Sequence, residues 1–297
     1  MPTVGFVGLG AMGAPMARNV AESFDCIVYN RNPEATEPFA DDGVPVADAP
    51  REVAERADVS VVMVTDGDAV RDVLTGVGGL LAGLDDGDHV VNASTVSPDD
   101  TAEIAALVAD ADGRFVDCPV SGTVGPAEEG TLTMLAGGAE EDVDAVEDVL
   151  RAMGDPVVRC GDVGDGTHAK LSVNLLLGDV MQSFAESLAL ADANGLDVDV
   201  MLEAIGSGAL SSTLLDVKGE MIAEGDFEAA FPLDLQFKDL RLALDSASEN
   251  EVPLPATAAT KEAANAARAL GHGDEDIAAF VRGIEDVTGD EVRRGGE

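Results

Sequence analysis

The chain has 297 residues, 46% of them apolar, which is ample material for a packed core and excludes a disordered chain. Lysine and arginine number 17 against 58 acidic residues, a formal charge of −41 spread along the whole sequence. Such a surface repels nucleic acid and anionic membranes, so neither is an expected partner; it fits a halophilic protein working in concentrated salt, where screening mutes self-repulsion.

The first half alternates β-branched runs with helical patterns. Residues 3–8 (TVGFVG), 26–30 (CIVYN), 58–64 (DVSVVMV), 89–94 (HVVNAS) and 114–119 (RFVDCP) read as strands. Helices are predicted between them over 11–23, 50–57, 66–74 and 98–111. Continuous apolar strands separated by helices imply a parallel sheet covered on both faces. Strands over 131–138 and 156–161 follow, around an acidic helix over 139–153. Beyond about residue 164 the strand signals stop. Residues 165–194 carry one long helical pattern, with further helices predicted over 199–207, 234–249, 254–270 and 276–284.

The expected organisation is an α/β domain, residues 1–163, then an all-α domain, residues 164–297, entered through one long helix. A helix of that length exceeds what a small domain can wrap, so a homodimer or homotetramer through the helical domain is expected. Cys26, Cys118 and Cys160 are irregularly spaced, which predicts buried free thiols rather than disulfides. His89, His168 and His272 form no metal spacing, and no metal is expected. The chain enters a strand by its third residue without a charged leader, and no apolar run approaches ~18 residues. A cytoplasmic location is the expectation.

Gly8, Gly10 and Gly13 form G-x-G-x-x-G between the first strand and the first helix. In that setting the glycines serve a tight turn, close approach to a pyrophosphate and helix-on-strand packing, and the helix start favours phosphate. The first domain therefore reads as a Rossmann-type doubly wound domain with a mostly parallel sheet. An NAD-selective site would place an acid at the end of the second strand, to hold the ribose hydroxyls. Here Asn30 and Arg31 stand there, with no carboxylate to repel a 2′-phosphate. Arg31 offers a planar fork for that phosphate, so NADP is expected and NAD is the weaker choice.

Lys170, one of only four lysines, sits just inside the long helix. On spacing alone it could snorkel, its stem on the core and its head in water. The motif order decides otherwise. Gly8-Leu9-Gly10-Ala11-Met12-Gly13-Ala14-Pro15-Met16, then "DCPVSG" from Asp117 to Gly122, then Gly164, Gly166, Lys170 and Asn174, then "KDL" from Lys238, resemble the β-hydroxyacid dehydrogenase family along most of the chain.

That resemblance implies a set of roles. Lys170 is the proton donor to a carbonyl being reduced, and Asn174, one helical turn on, orients the lysine or the reacting oxygen. Ser121, Gly122, Thr123 and Phe231 line the substrate pocket; Thr123 stands where many members have a second glycine, which narrows the pocket. Gly8, Leu9, Gly10, Ala11, Met12, Gly13, Asn30, Arg31, Val64, Thr65, Thr95, Lys238 and Asp239 contact the cofactor. Thr95 is expected just past the fifth strand, and Asp239 is expected to hold Lys238. His168, two residues from Lys170, points off its face.

The implied reaction is hydride transfer between NADP(H) and a small carboxylate-bearing aldehyde or hydroxy acid, most like the glyoxylate and succinic semialdehyde reductases. An alternative is 3-hydroxyisobutyrate dehydrogenation. A reading of another class is a catalytically silent NADP-binding dimeric module.

Overall fold

A computed structural model describes residues 1–294. They form two compact units, Met1–Leu171 and a second that begins at Ser172.

In the first unit the strands are β1 (Val4–Val7), β2 (Cys26–Tyr29), β3 (Val59–Val62), β4 (His89–Asn92), β5 (Arg114–Asp117), β6 (Val120–Ser121), β7 (Thr133–Gly137) and β8 (Val157–Gly161). They make one eight-stranded sheet in the order β2-β1-β3-β4-β5-β7-β6, with β8 also on β7. Pairs from β2 through β5 are parallel, in register from Val4↔Cys26 to Asn92↔Asp117. Side-chain alternation then feeds two cores. Phe6, Val28, Val61, Val91 and Val116 point to one face, while Val7, Ile27, Val62, Val90 and Phe115 point to the other. Helices cover both faces because both faces are apolar.

The far edge departs from a wholly parallel sheet. β7 runs antiparallel to β5 and β6, and β8 is parallel to β7. The two-residue strand β6 is absent from the periodicity. It turns back through Gly122 and a short helix, Val124–Glu128, into β7. That link is too short for a parallel crossover, whereas helix Glu140–Met153 provides one between β7 and β8. Cys26 and Cys118 are buried free thiols, and burial pushes the Cys26 thiol up to about 12. Cys160, expected to be buried, is only half-buried, because β8 pairs on one side alone.

The long helix, Asp165–Ala193, begins in the first unit and continues into the second. The second unit adds helices Val198–Gly206, Thr213–Glu224, Leu233–Glu249, Pro255–Ala267 and Phe280–Thr288. Met181, Phe184, Leu188, Ile222, Leu233, Leu240 and Phe280 are central to its core. Helix Thr213–Glu224 is not foreshadowed by the sequence pattern, since Lys218 and Gly219 lie on its buried face and interrupt the apolar stripe. A Cβ at Gly219 would lie 2.6 Å from Leu202 Cδ2, so the glycine admits the neighbouring helix. The expected helix over 254–270 is regular only to Ala267, then passes into a π turn that contains Gly271 at φ 107°. Among the described residues no helix is long and apolar enough to cross a membrane.

Candidate active site

The glycine-rich turn follows β1. Gly8 has φ 101°, and a Cβ there would fall 2.1 Å from the Met63 carbonyl oxygen and 3.0 Å from Val64 Cγ1. A Cβ on Gly13 would sit 2.0 Å from the Gly8 carbonyl oxygen, so the first helix closes on the turn only with glycine there. Gly10 is exposed, and a Cβ on it would meet nothing within 4 Å. Two glycines are thus packed and one faces open space, the arrangement a pyrophosphate cradle requires. Ala11 is exposed and Met12 half-buried beside it, at the start of helix Gly13–Ser23.

Asn30 ties this turn to β2. Its Oδ1 accepts from the Leu9 amide at 2.9 Å and its Nδ2 donates to the Asn32 carbonyl at 2.9 Å. Arg31 is exposed and, among the described residues, joins no ion pair or hydrogen bond, unlike Arg18 or Arg71, which bind nearby acids. Ser94 links the ends of β3 and β4: its Oγ accepts from the Val64 amide at 2.9 Å, and its own amide donates to Asn92 Oδ1 at 3.2 Å. Thr95 is next in the chain, half-buried, and follows the fourth strand rather than the fifth. Thr65 is exposed and donates to Asp66 Oδ2 at 3.2 Å, while Asp66 caps the helix Gly67–Thr75.

Asp117, at the end of β5, carries a role that the motif alone did not disclose. It is fully buried, and it accepts from the Gly164 amide at 2.6 Å, the Thr167 amide at 2.7 Å and the Thr167 hydroxyl at 3.1 Å. The carboxylate therefore seats the start of the long helix on the sheet, where its charge also meets the helix dipole. Gly166 permits the approach, since a Cβ there would lie 2.3 Å from the Leu135 carbonyl oxygen. Burial raises the Asp117 carboxyl above its ordinary range, against the opposing pull of the Gly164 and Thr167 amides. Lys170 follows one turn later and is buried, 7% exposed, whereas His168 is exposed.

Ser121 lies in β6, opposite Thr133. Gly122 has φ 142°, and a Cβ there would press on Leu132 at 2.6 Å. Thr123 begins the following short helix and makes no side-chain cap bond.

Within the second unit, Asn174, 1% exposed, donates its amide to Asp239 Oδ2 at 2.5 Å. Asp239, 2% exposed, holds Lys238 Nζ at 3.4 Å through its other oxygen. Gln236, missed by the sequence reading, is fully buried and donates to the Asn174 carbonyl at 2.9 Å. Its spacing from Asp239, three residues on one helix, was the available signal. Phe231 is half-buried against the helical core. Among the described residues no cluster of three or more histidines, cysteines or acids is placed to hold a metal.

The chain is similar to known proteins along both of its halves. Residues 3–161 match the NAD binding domain of 6-phosphogluconate dehydrogenase, and residues 164–284 match the family described as NAD-binding of NADP-dependent 3-hydroxyisobutyrate dehydrogenase. The chain is 35% identical to glyoxylate/succinic semialdehyde reductase 1 of Arabidopsis thaliana, over 95% of this chain and 98% of that one. It is 36% identical to 2-(hydroxymethyl)glutarate dehydrogenase of Eubacterium barkeri, over 98% of each. The crystal structure of a 3-hydroxyisobutyrate dehydrogenase from Salmonella typhimurium superposes with a TM-score of 0.86 at 31% identity, over 94% of this chain and 99% of that one. With both halves and nearly the whole length matched, the chain belongs to the β-hydroxyacid dehydrogenase family of NAD(P)-dependent oxidoreductases.

Proposed function

We propose that this enzyme reduces a small carboxylate-bearing aldehyde with NADPH, or oxidises the matching hydroxy acid, and that glyoxylate or succinic semialdehyde is the type of substrate. The observation that carries the reading is Lys170, buried one turn into a helix whose start is seated by Asp117 of the substrate motif. Reducing a carbonyl requires a hydride on carbon and a proton on oxygen. A nicotinamide, when bound, would supply the hydride. Lys170 holds the proton and delivers it to the carbonyl oxygen, and its neutral amine takes a hydroxyl proton in the oxidative direction. Asn174, one turn on, is fixed by Asp239 and presents a neutral polar group that orients without competing as a charge. Ser121 and the Gly122 backbone would receive the substrate carboxylate, Thr123 would narrow that site, and Phe231 is a proposed substrate contact of the helical unit.

The open face at Gly10 and the amides at the start of helix Gly13–Ser23 suit the pyrophosphate, with Leu9, Ala11 and Met12 around it. Val64, Thr65 and Thr95 would border the nicotinamide half, and Lys238 its ribose. Asn30 is spent on holding the turn, which leaves Arg31 to bind the 2′-phosphate and supports NADP over NAD. A second substrate reading, 3-hydroxyisobutyrate, is favoured by the match over residues 164–284. A homodimer or homotetramer through the helical unit belongs to the same proposal and rests on the length of the helix Asp165–Ala193.

The test is Lys170→Ala and Lys170→Arg, assayed for kcat and NADPH dissociation at molar KCl with a panel of aldehydo-acids. Turnover should fall ~10²–10⁴-fold in both, because guanidinium does not release a proton near neutral pH, while NADPH binding persists. A working arginine variant would end the acid assignment. An absence of turnover in the parent protein with every substrate, alongside intact NADPH binding, would make the chain a silent NADP-binding module.

A further inference from the structure

Two of the four lysines are buried, and only one of these has a place in the proposed chemistry. The other, Lys218, is 3% exposed on helix Thr213–Glu224. Its Nζ lies 2.7 Å from Asp276 Oδ1, and the two side chains are 4% and 0% exposed. The Asp276 carboxylate accepts three backbone amides as well: Ala278 at 3.0 Å on Oδ1, and Ala230 and Phe231, each at 3.1 Å, on Oδ2. Main-chain bonds run alongside, from the Asp276 amide to the Phe227 carbonyl, the Ile277 amide to the Phe231 carbonyl and the Leu233 amide to the Glu275 carbonyl. Pro232 and Asp276 form an antiparallel bridge. One buried carboxylate therefore pins the segment that carries Phe231.

Stability gives no reason to keep such a pair, since apolar replacements of buried ion pairs are often neutral or favourable. Its use has to lie in geometry. A carboxylate with three amides but no cation would hold a bare charge in the core, and the segment would lift from it to admit water. We propose that Lys218 and Asp276 are positioning residues for substrate: the pair fixes the Ala230–Phe231 backbone, and thereby the wall that Phe231 gives to the aldehydo-acid pocket. This rests on Phe231 lining that pocket.

The experiment is a double-mutant cycle on the whole enzyme in high salt, with Lys218→Met, Phe231→Ala and both together. Lys218→Met should raise the KM for the aldehydo-acid about 10-fold, with kcat within about threefold and NADPH dissociation unchanged. The combined variant should be no worse than Phe231→Ala, since the lysine acts through that ring. Multiplying effects, or a fall in kcat with both KM values unchanged, would overturn the proposal, as the second is what a merely smaller folded fraction gives. Hydrogen exchange at the Ala230 and Phe231 amides supplies a readout free of substrate. It should quicken at least 10-fold in Lys218→Met while the Asn174 and Asp239 amides keep their protection, and unchanged exchange would refute the pinning. If the parent enzyme turns over no aldehydo-acid, the functional reading fails and the substrate role falls with it, while the exchange result still decides whether the pair pins the segment. Asp276→Asn, which removes the same pairing from the other side, repeats the test where Lys218→Met does not fold.

Discussion

Replacing Asp117 by asparagine removes the charge that seats the long helix while keeping its volume. One carboxylate oxygen serves the Gly164 amide at 2.6 Å; the other serves the Thr167 amide at 2.7 Å and its hydroxyl at 3.1 Å. Asparagine has one oxygen, so one of the two amides must face an NH2 group. The Thr167 hydroxyl has a second partner, Thr101 Oγ1 at 2.9 Å, and loses little. One buried amide left without an acceptor costs about 1–3 kcal/mol. Exchange at the Gly164 or Thr167 amide should therefore quicken by about 5- to 150-fold, at ~1.4 kcal/mol per decade. The assay is native-state hydrogen exchange in high salt, with turnover measured in parallel because Lys170 lies one turn along the same helix.

The pH dependence has a definite sign. Burial raises the Asp117 carboxyl above its ordinary 3.8, so the native state holds that proton more tightly than the unfolded chain. The stability linked to this group is full below 3.8 and is lost as pH rises through the raised value. The difference in stability between the parent and Asp117→Asn should then widen as pH falls through that window. Unchanged exchange at both amides would refute the seating argument, and a difference that narrows on acidification would refute the upward shift of the Asp117 carboxyl.

Other expectations follow from the glycines, the cofactor arginine and the net charge. Gly10→Ala should fold like the parent yet bind NADPH at least 10-fold more weakly, whereas Gly13→Ala should lower the melting temperature because its Cβ would lie 2.0 Å from a carbonyl oxygen; normal NADPH binding by the Gly10 variant would remove the cradle from that site. Arg31→Ala should raise the KM for NADPH about 10- to 150-fold, the worth of a charge-assisted contact, and leave NADH nearly unaffected. Comparable catalytic efficiency of the parent with both cofactors would defeat the NADP assignment. At a charge of −41, the melting temperature should climb between ~0.1 and 1 M KCl, as the screening length shortens from about 10 to 3 Å. A flat profile would show that self-repulsion does not govern stability.

Local periods were legible because they repeat within a few residues. The alternation in β1 to β5 fed two opposed cores, and the spacing of Gly8, Gly10 and Gly13 marked the turn where those glycines stand. The lysine and asparagine of the long helix were readable for the same reason, as neighbours one turn apart. Tertiary structure decided what depends on partners far along the chain. Asn30 reads in the sequence as a cofactor contact, and only the fold shows its Oδ1 accepting from the Leu9 amide, 21 positions away. Asp117 and Gly164 meet across 47 positions, and Asn174 and Asp239 across 65. The helix Thr213–Glu224 was hidden because a buried lysine breaks an apolar stripe, and only the fold brings Asp276 beside Lys218 to neutralise it. A buried charge carries no local period, so nothing in its own neighbourhood names its counter-charge; packing does.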